Sequence, residues 1–240
     1  MPGLDWLTAR PIAHRGLHDP GAGVIENTPS AVAAAVTAGY GIEVDLQITA
    51  DGEAMVHHDD ALGRLTEGAG RLDSMTAAEL AAVPFKDTKD RMLCLGELCN
   101  LVGGRATMVL ELKSRFDGDP RLPERIAKVL AGYAGPVAAM SFDPAQLLAL
   151  RRIAPGLTRG ITAESRYHHR GSQPRAYLLD LLRMRPQFVA YSVRDLPAAA
   201  PLLARYLFGL PLLTWTVRSQ SDRSRAARWA DQMIFEGFRP

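Results

Sequence analysis

Residues that can carry acid–base or metal chemistry cluster in and beside three short apolar runs of this 240-residue sequence. The clusters are His14-Arg15, Glu43-Val44-Asp45, Val56-His57-His58-Asp59 and Glu111-Leu112-Lys113. Residues i and i+2 of an extended strand point to the same side, so the charged pairs of the second and fourth clusters each share one face. A charge inside an apolar run needs a partner or a metal ion. The pattern indicates a polar site, and an inward salt bridge is the alternative for Glu111 and Lys113.

The three carboxylates and two cations of these clusters form a chemically coherent set. Glu43, Asp45 and Glu111 offer hard oxygen ligands, which suit Mg²⁺ or Ca²⁺ better than Zn²⁺. Arg15 and Lys113 would balance an anionic ligand such as a phosphate group. Two histidines, which titrate near neutral pH, would supply one general base and one general acid. A metal, cations and an acid–base pair together predict cleavage of a phosphoester.

Elements that would bring these clusters together recur along the chain as short β-rich runs separated mostly by helix-like segments. The predicted strands cover Pro11–Gly16, Gly41–Ile48, Thr107–Leu112, Val137–Phe142, Leu157–Thr162, Phe188–Val193, Leu212–Val217 and Gln232–Glu236. The predicted helices include Pro29–Ala38, Pro123–Leu130, Pro144–Ile153, Arg175–Met184 and Ala198–Phe208. Eight strands alternating with helices predict an α/β fold, a (β/α)₈ TIM barrel, whose site lies at the carboxyl ends of the strands. A doubly wound open sheet is the alternative, but the turn after the first strand lacks its glycine-rich phosphate motif.

One connection, about residues 49–106, is longer than a plain crossover. It contains a hairpin signal at Asp51-Gly52 and a helix start at Thr76. We expect a small insertion after the second strand, lying over the barrel mouth, within a single domain that covers residues 1–240.

Composition excludes several classes of protein. The 28 basic and 26 acidic side chains leave a net charge of +2, too balanced for an electrostatic nucleic-acid binder. The most apolar stretch, Leu196–Val217, is interrupted by Pro201, Arg205 and Pro211 and cannot span a bilayer, so we expect no stable membrane anchoring. Cys94 and Cys99 are expected to be reduced packing residues, which predicts a cytoplasmic protein. The oligomeric state stays open.

Several separated motifs, in order and in spacing, resemble one known family over nearly the whole chain. They are His14-Arg15-Gly16, Glu26-Asn27-Thr28, Glu43-Val44-Asp45, Asp51-Gly52, His58-Asp59, Glu111-Leu112-Lys113, Ser141-Phe142-Asp143 and Trp215-Thr216-Val217. The family is that of the glycerophosphodiester phosphodiesterases. The resemblance implies a (β/α)₈ barrel with an insertion after the second strand. It also implies metal-dependent hydrolysis of a small glycerophosphodiester, such as glycerophosphocholine or glycerophosphoethanolamine, to glycerol 3-phosphate and an alcohol. The ion would be Mg²⁺ or Ca²⁺, with Mn²⁺ as a further candidate.

The resemblance also implies roles for individual residues. Its metal ligands fall on Glu43, Asp45 and Glu111. Its catalytic histidines fall on His14 and His58, because the family's second histidine directly precedes an aspartate. Its substrate contacts include Arg15 and Lys113, and we add Asn27 and Trp215 to the expected substrate-binding residues.

Asn27 and Trp215 each have an alternative interpretation. Asn27 could instead orient a histidine, within a segment where Thr28-Pro29 has the form of a helix cap. Trp215 could instead be a core aromatic residue. His57 and His58 would point to opposite sides of an extended segment, so only one of them can enter the site.

Two positions depart from the family pattern and put the substrate preference in doubt. Arg218 stands where an asparagine is usual, and Phe235-Glu236-Gly237-Phe238 replaces a Thr-Asp-x-Pro ending. The sequence is also compatible with two other functions. One is a lysophospholipase D-like phosphodiesterase, which needs an apolar groove or a membrane-docking surface. The other is a non-catalytic barrel that binds a phosphate ligand.

Overall fold

A closed barrel of eight parallel strands forms the centre of the computed structural model, which describes residues 3–165 and 183–240. Its strands are β1 (Ile12–Ala13), β2 (Gly41–Ile48), β4 (Met108–Leu112), β5 (Val137–Ser141), β6 (Thr158–Ala163), β7 (Phe188–Ser192), β8 (Leu212–Val217) and β9 (Gln232–Phe235). β1 pairs with both β2 and β9, which closes the sheet. A ninth strand, β3 (Ala54–Val56), pairs antiparallel with β2 outside the barrel. The predicted TIM barrel and the predicted hairpin at Asp51-Gly52 are therefore confirmed.

Helices connect the strands and cover the barrel. They are α1 (Asp5–Thr8), α2 (Pro29–Thr37), α3 (Ala77–Ala82), α4 (Leu95–Val102), α5 (Arg121–Leu130), α6 (Pro144–Ile153), α7 (Ala199–Phe208) and α8 (Gln220–Trp229). Thr28 and Asp143 cap α2 and α6 by accepting hydrogen bonds from backbone amides of the first turn, with proline following each cap. Most of the predicted helix Arg175–Met184 lies outside the described residues.

The barrel interior is apolar at one end and polar at the other. Val109, Phe188, Leu213 and Ile234 belong to one buried cluster at the amino-terminal end, and Leu7 of α1 packs into the same cluster. This cluster fills the bottom of the barrel interior, and the polar end is the carboxyl end of the strands, where barrels of this kind place their sites.

The long connection after β2 has a small core of its own. Met55, Leu72, Leu80 and Phe85 are buried together there, beside Ile25. Its last helix, α4, packs against α2 and serves as the ordinary crossover between β2 and β4. The insertion proper therefore covers residues 49–94, while the division of the chain into domains stays a prediction.

No helix within the described residues is long and apolar enough to cross a bilayer. Cys94 and Cys99 are free thiols, and burial raises the pKa of Cys99 to about 11. At neutral pH such a thiol stays protonated and unreactive. Both cysteines therefore have the character of packing residues.

Candidate active site

Three carboxylates meet at the carboxyl end of the barrel because two neighbouring strands carry them in register. Glu43 and Asp45 lie on β2, and Asp45 is the direct neighbour of Glu111 on β4. All three side chains are buried, and each offers an oxygen within 4.8 Å of the others. Like charges at this distance repel strongly in a buried site, so they need cations around them.

Two cations of the chain hold this carboxylate group. The Lys113 ammonium lies 2.8 Å from Asp45 Oδ1 and 2.6 Å from Glu111 Oε1. Arg15 places its Nε 3.3 Å from Asp45 Oδ2, and its backbone N–H donates to Glu43 Oε2 at 2.9 Å. Arg15 has a left-handed backbone, with φ +57°, which turns the chain sharply after β1.

The charges do not balance within the set formed by Glu43, Asp45, Glu111, Arg15 and Lys113. Three carboxylates against two cations leave one negative charge. Burial and the neighbouring carboxylates raise the pKa of Glu43 well above its usual range. Burial also raises the pKa of Asp45, but Lys113 and Arg15 outweigh it and hold that pKa well below its usual range. Of these carboxylates, Glu43 is therefore the one whose ionised form the site itself favours least, and a cation bound there would relieve that cost.

The donor set fits a hard divalent cation. Glu43 Oε1 is buried and has no hydrogen-bond partner, which is costly unless something further binds it. The three ligand atoms are all carboxylate oxygens, the type that Mg²⁺, Ca²⁺ and Mn²⁺ prefer. Within the described residues, Glu43, Asp45 and Glu111 are the group of three acidic side chains close enough together to hold one metal ion.

His14 lies at the edge of this group and is held by the carboxylate of Glu236, which directly follows the last strand. Its Nδ1 is 2.7 Å from Glu236 Oε2, and its Nε2 is 4.0 Å from Glu43 Oε2. The hydrogen bond with His14 lowers the pKa of Glu236 to about 2. Arg218 donates to the same Glu236 oxygen at 3.0 Å. An ionised Glu236 selects the tautomer of His14 that carries its proton on Nδ1, which leaves Nε2 as the acceptor facing the carboxylates.

His58, which follows β3, has the same kind of support. Its Nδ1 is 2.9 Å from Asp59 Oδ1, and Arg64 donates to Asp59 at 2.6 Å. Arg64 also donates to Glu26 at 2.7 Å, and Arg15 donates to Glu26 at 2.6 Å. Glu26 thus ties the arginine beside the carboxylates to the arginine that supports His58.

His57 and His58 separate as the alternation of an extended chain requires. His58 lines a cavity at the barrel mouth, whereas His57 is buried beside Phe85 of the insertion. Burial lowers the pKa of His57. The geometry therefore brings His58 and His14 to the same mouth and places His57 outside it.

Asn27 and Trp215, the two residues added to the expected substrate contacts, have different surroundings. Asn27 is buried, its Nδ2 donates to Asp45 Oδ2 at 2.9 Å, and its Oδ1 accepts from the Asp45 N–H at 3.3 Å. It contacts a predicted metal ligand rather than the open mouth. Trp215 is half-buried and lies edge-on to Phe142, with a buried indole N–H that has no partner. That free donor lies near the mouth, where Trp215 could contact a ligand.

Three carboxylates support the site without having been assigned a role in it from the sequence. Glu26, Asp59 and Glu236 each contact a residue of the predicted set. The sequence places Asp59 in a polar cluster and Glu236 at the end of the last strand, where it is a candidate for the mouth, but a single charge in a loop or at a strand end resembles ordinary surface. Glu26 and Asp59 lie inside the motifs that carry the family resemblance. Glu236, the residue that ends the last predicted strand, follows the alternation that turns Ile234 inward.

Comparison with known proteins decides the family. A sequence model of the glycerophosphoryl diester phosphodiesterase family matches residues 14–238. The chain belongs to this family. The match includes His14, the carboxylates of β2 and β4, and Glu236, so this phosphodiesterase-family barrel contains the whole site described above.

Individual relatives agree with that assignment. A glycerophosphodiester phosphodiesterase of Caldanaerobacter subterraneus subsp. tengcongensis is 33% identical over 160 residues, which are 62% of this chain and 65% of that protein. The alignment thus spans just under two thirds of the relative. A glycerophosphodiester phosphodiesterase of Bacillus subtilis is 25% identical over 221 residues, covering 82% of this chain and 73% of that protein.

A solved structure shares the fold. An Oleispira antarctica phosphodiesterase in complex with the product sn-glycerol-3-phosphate superposes with a TM-score of 0.80 at 20% identity. The superposition covers 96% of this chain and 94% of that one. The identity is low, so this likeness concerns the barrel alone.

Proposed function

We propose that the protein is a metal-dependent phosphodiesterase that hydrolyses glycerophosphodiesters to glycerol 3-phosphate and an alcohol. The observation that carries this proposal is the buried group of Glu43, Asp45 and Glu111, flanked by two cations and by two carboxylate-supported histidines. Family membership and the product bound to the Oleispira neighbour support the same substrate class.

Charge explains why this site suits a phosphodiester. The carboxylates and cations of the site leave one negative charge, which a divalent cation would reverse to one positive charge. A phosphodiester carries a single negative charge and would neutralise it. Lys113 and the guanidinium of Arg15, which lie beside the carboxylates, would contact its phosphoryl oxygens.

Glu43, Asp45 and Glu111 would hold the metal ion. A bound divalent ion supplies positive charge to the phosphoryl oxygens, where negative charge develops during displacement at phosphorus. Asn27 positions Asp45 through its two hydrogen bonds, which is the role we assign to it in place of a substrate contact. Mg²⁺, Ca²⁺ and Mn²⁺ all match the oxygen donors.

The two histidines would move the protons of the reaction. The attacking oxygen belongs either to water or to the glycerol hydroxyl of the substrate, in which case water opens the resulting cyclic phosphate in a second displacement. As this oxygen bonds to phosphorus, one imidazole accepts its proton. As the bond from phosphorus to the alcohol oxygen breaks, the other histidine, in its imidazolium form, donates a proton to the departing oxygen. In this scheme Glu236 and Asp59 each hold Nδ1 of one imidazole, so that Nε2 of each faces the substrate.

Within the described residues, the mouth offers little apolar surface for the lysophospholipase D-like alternative, since Phe116 is the one large apolar side chain there that is about half exposed. Tyr206, Leu207 and Phe208 are exposed apolar residues, but they form the last turn of α7. A crossover helix of this barrel runs from the carboxyl to the amino end of the strands, so that turn lies opposite the site. No observation favours the non-catalytic alternative either, because the histidines and the carboxylates are all present.

The experiment that tests the proposed function is turnover by chelator-stripped protein. Release of glycerol 3-phosphate from glycerophosphodiesters should be lost on stripping and restored by at least one of Mg²⁺, Ca²⁺ and Mn²⁺. Undiminished turnover after complete stripping would overturn the metal requirement, and silence with every metal would overturn the reaction. The cytoplasmic location predicted from the cysteines stays a prediction.

A further inference from the structure

A cavity of about 1080 Å³ adjoins the candidate active site, between the insertion and the loop after β4. His58 and Lys113 belong both to the site and to the cavity wall. A diester whose phosphoryl group contacts Lys113 would therefore extend one of its two alcohol groups into this cavity. The volume exceeds what a small amino alcohol requires.

The cavity wall is densely charged and yet electrically balanced. Five aspartates face four arginines and Lys113 around it. The arginine–aspartate pairs are Arg64–Asp59 at 2.6 Å, Arg71–Asp60 at 2.6 Å, Arg115–Asp73 at 2.8 Å, Arg115–Asp117 at 3.5 Å and Arg121–Asp119 at 2.7 Å. Each of these carboxylates already has a cation, so the wall offers no net attraction to a positively charged head group.

A quaternary ammonium group would also find no aromatic surface here. Proteins commonly bind choline-like cations against the faces of Trp, Tyr or Phe. The described lining contains none of these side chains, and its apolar members are Ile48, Ala61, Leu62 and Leu122. An alkylated ammonium would lose water in this cavity without gaining a cation–π contact.

Hydroxyl groups, by contrast, suit such a wall. A hydroxyl donates one hydrogen bond and accepts others, so it can insert between a carboxylate oxygen and a guanidinium N–H. Gln146 adds a further acceptor: it is buried, its Nε2 donates to the Asp119 carbonyl at 2.9 Å, and its Oε1 has no partner. An unpaired buried amide oxygen in the wall of a polar cavity indicates a donor still to be bound.

We propose that this cavity binds the leaving alcohol of the diester and selects a neutral polyhydroxy alcohol, such as glycerol or inositol, over choline and ethanolamine. The inference rests on the proposed function. The glycerol of the released glycerol 3-phosphate then occupies the opposite side of the mouth, where Trp215 has its free indole N–H. His58, which lines the cavity, is placed to protonate the departing alcohol.

The test compares kcat/KM for four diesters on the metal-reconstituted protein. Glycerophosphoglycerol and glycerophosphoinositol should exceed glycerophosphocholine and glycerophosphoethanolamine by about tenfold or more, which corresponds to about one strong additional hydrogen bond. Glycerophosphomethanol, whose leaving methanol is too small to reach the far wall, serves as the reference substrate.

Two variants locate the selectivity in the cavity. Arg115 is mostly exposed, so Arg115→Met should fold normally, and Gln146→Leu removes the unpaired acceptor. Each should lower the ratio of kcat/KM for glycerophosphoinositol to that for glycerophosphomethanol by about tenfold. Arg152→Met, which replaces an exposed arginine in the last turn of α6, is the matched control and should leave the ratio unchanged.

The outcomes separate this inference from the function on which it rests. Turnover of the choline diester equal to or above that of the polyol diesters would overturn the inference and leave the phosphodiesterase function standing. An equal loss of kcat/KM for glycerophosphomethanol and glycerophosphoinositol in both variants would also overturn it. The cavity would then hold the glycerol that both substrates share, and not the leaving alcohol. Absence of turnover on all five diesters would contradict both proposals.

Discussion

Replacing Glu236 by alanine tests whether this carboxylate positions His14 for proton transfer. The Glu236 carboxylate bonds His14 and Arg218, and of these two His14 is the residue beside the buried carboxylates. The bond between His14 Nδ1 and Glu236 Oε2 is 2.7 Å long, and the two side chains are only 12% and 22% exposed. Solvent therefore screens the pair little.

The magnitude follows from the strength of such a bond. A hydrogen bond to a charged group contributes about 1.5–3 kcal/mol. A loss of about 2 kcal/mol from the transition state corresponds to a fall of about 30-fold in kcat. KM should change by less than about twofold, because the groups that would bind the phosphate are untouched.

Three controls accompany the Glu236→Ala variant. Glu236→Gln keeps an acceptor oxygen without the charge and should fall between wild type and alanine. Arg218 also bonds Glu236 but is about half exposed, so Arg218→Ala should lower kcat by less than about fivefold. Nitrogen chemical shifts of His14 should show the proton on Nδ1 in the wild type and a mixture of tautomers in Glu236→Ala. A kcat within about twofold of wild type, with the tautomer unchanged, would refute the positioning role.

Three further predictions follow from the same geometry. His58→Ala should lower kcat by about 100-fold or more with an unchanged melting temperature, and the refuting result is near-normal turnover. Because burial lowers the pKa of His57, the unfolded chain takes up a proton near pH 6.5 that the folded protein resists. The free energy of unfolding is therefore highest above about pH 6.5 and falls as the pH decreases below that value. His57→Gln should make this fall smaller, which urea unfolding measured above and below about pH 6.5 would show. A Cβ at position 160 would overlap the Phe188 ring, so Gly160→Ala should destabilise the barrel by about 1–3 kcal/mol. Phe188→Leu should restore part of that loss, and an unchanged melting temperature in Gly160→Ala would contradict the packing described.

Most of the barrel could be predicted from sequence because its signals are local. Each strand is a short apolar run, and the helices α2 and α6 begin at a polar cap followed by proline. The boundary of the insertion could not be predicted, since α4 shows the same amphipathic pattern whether it packs on the insertion or on the barrel. Its contacts with α2 and α5, two helices that cover the barrel, decide this.

The site could be predicted in part for a similar reason. Glu43, Asp45 and Glu111 stand out because charges inside apolar strands are costly. Glu26 and Asp59 do not stand out, because a carboxylate in a loop costs nothing when solvent surrounds it. Their roles arise from contacts between segments far apart in the chain, such as Arg64 with Glu26 at 2.7 Å. A single sequence contains no signal for such pairings.

The most direct test of the central claim is to locate a bound metal ion. Crystals grown with Mn²⁺ allow its anomalous scattering to be measured, which identifies the ion independently of turnover. We expect one strong peak bonded to carboxylate oxygens of Glu43, Asp45 and Glu111, and loss of that peak in Glu43→Gln. A peak bonded to other residues, or no peak under conditions where turnover requires Mn²⁺, would contradict this claim.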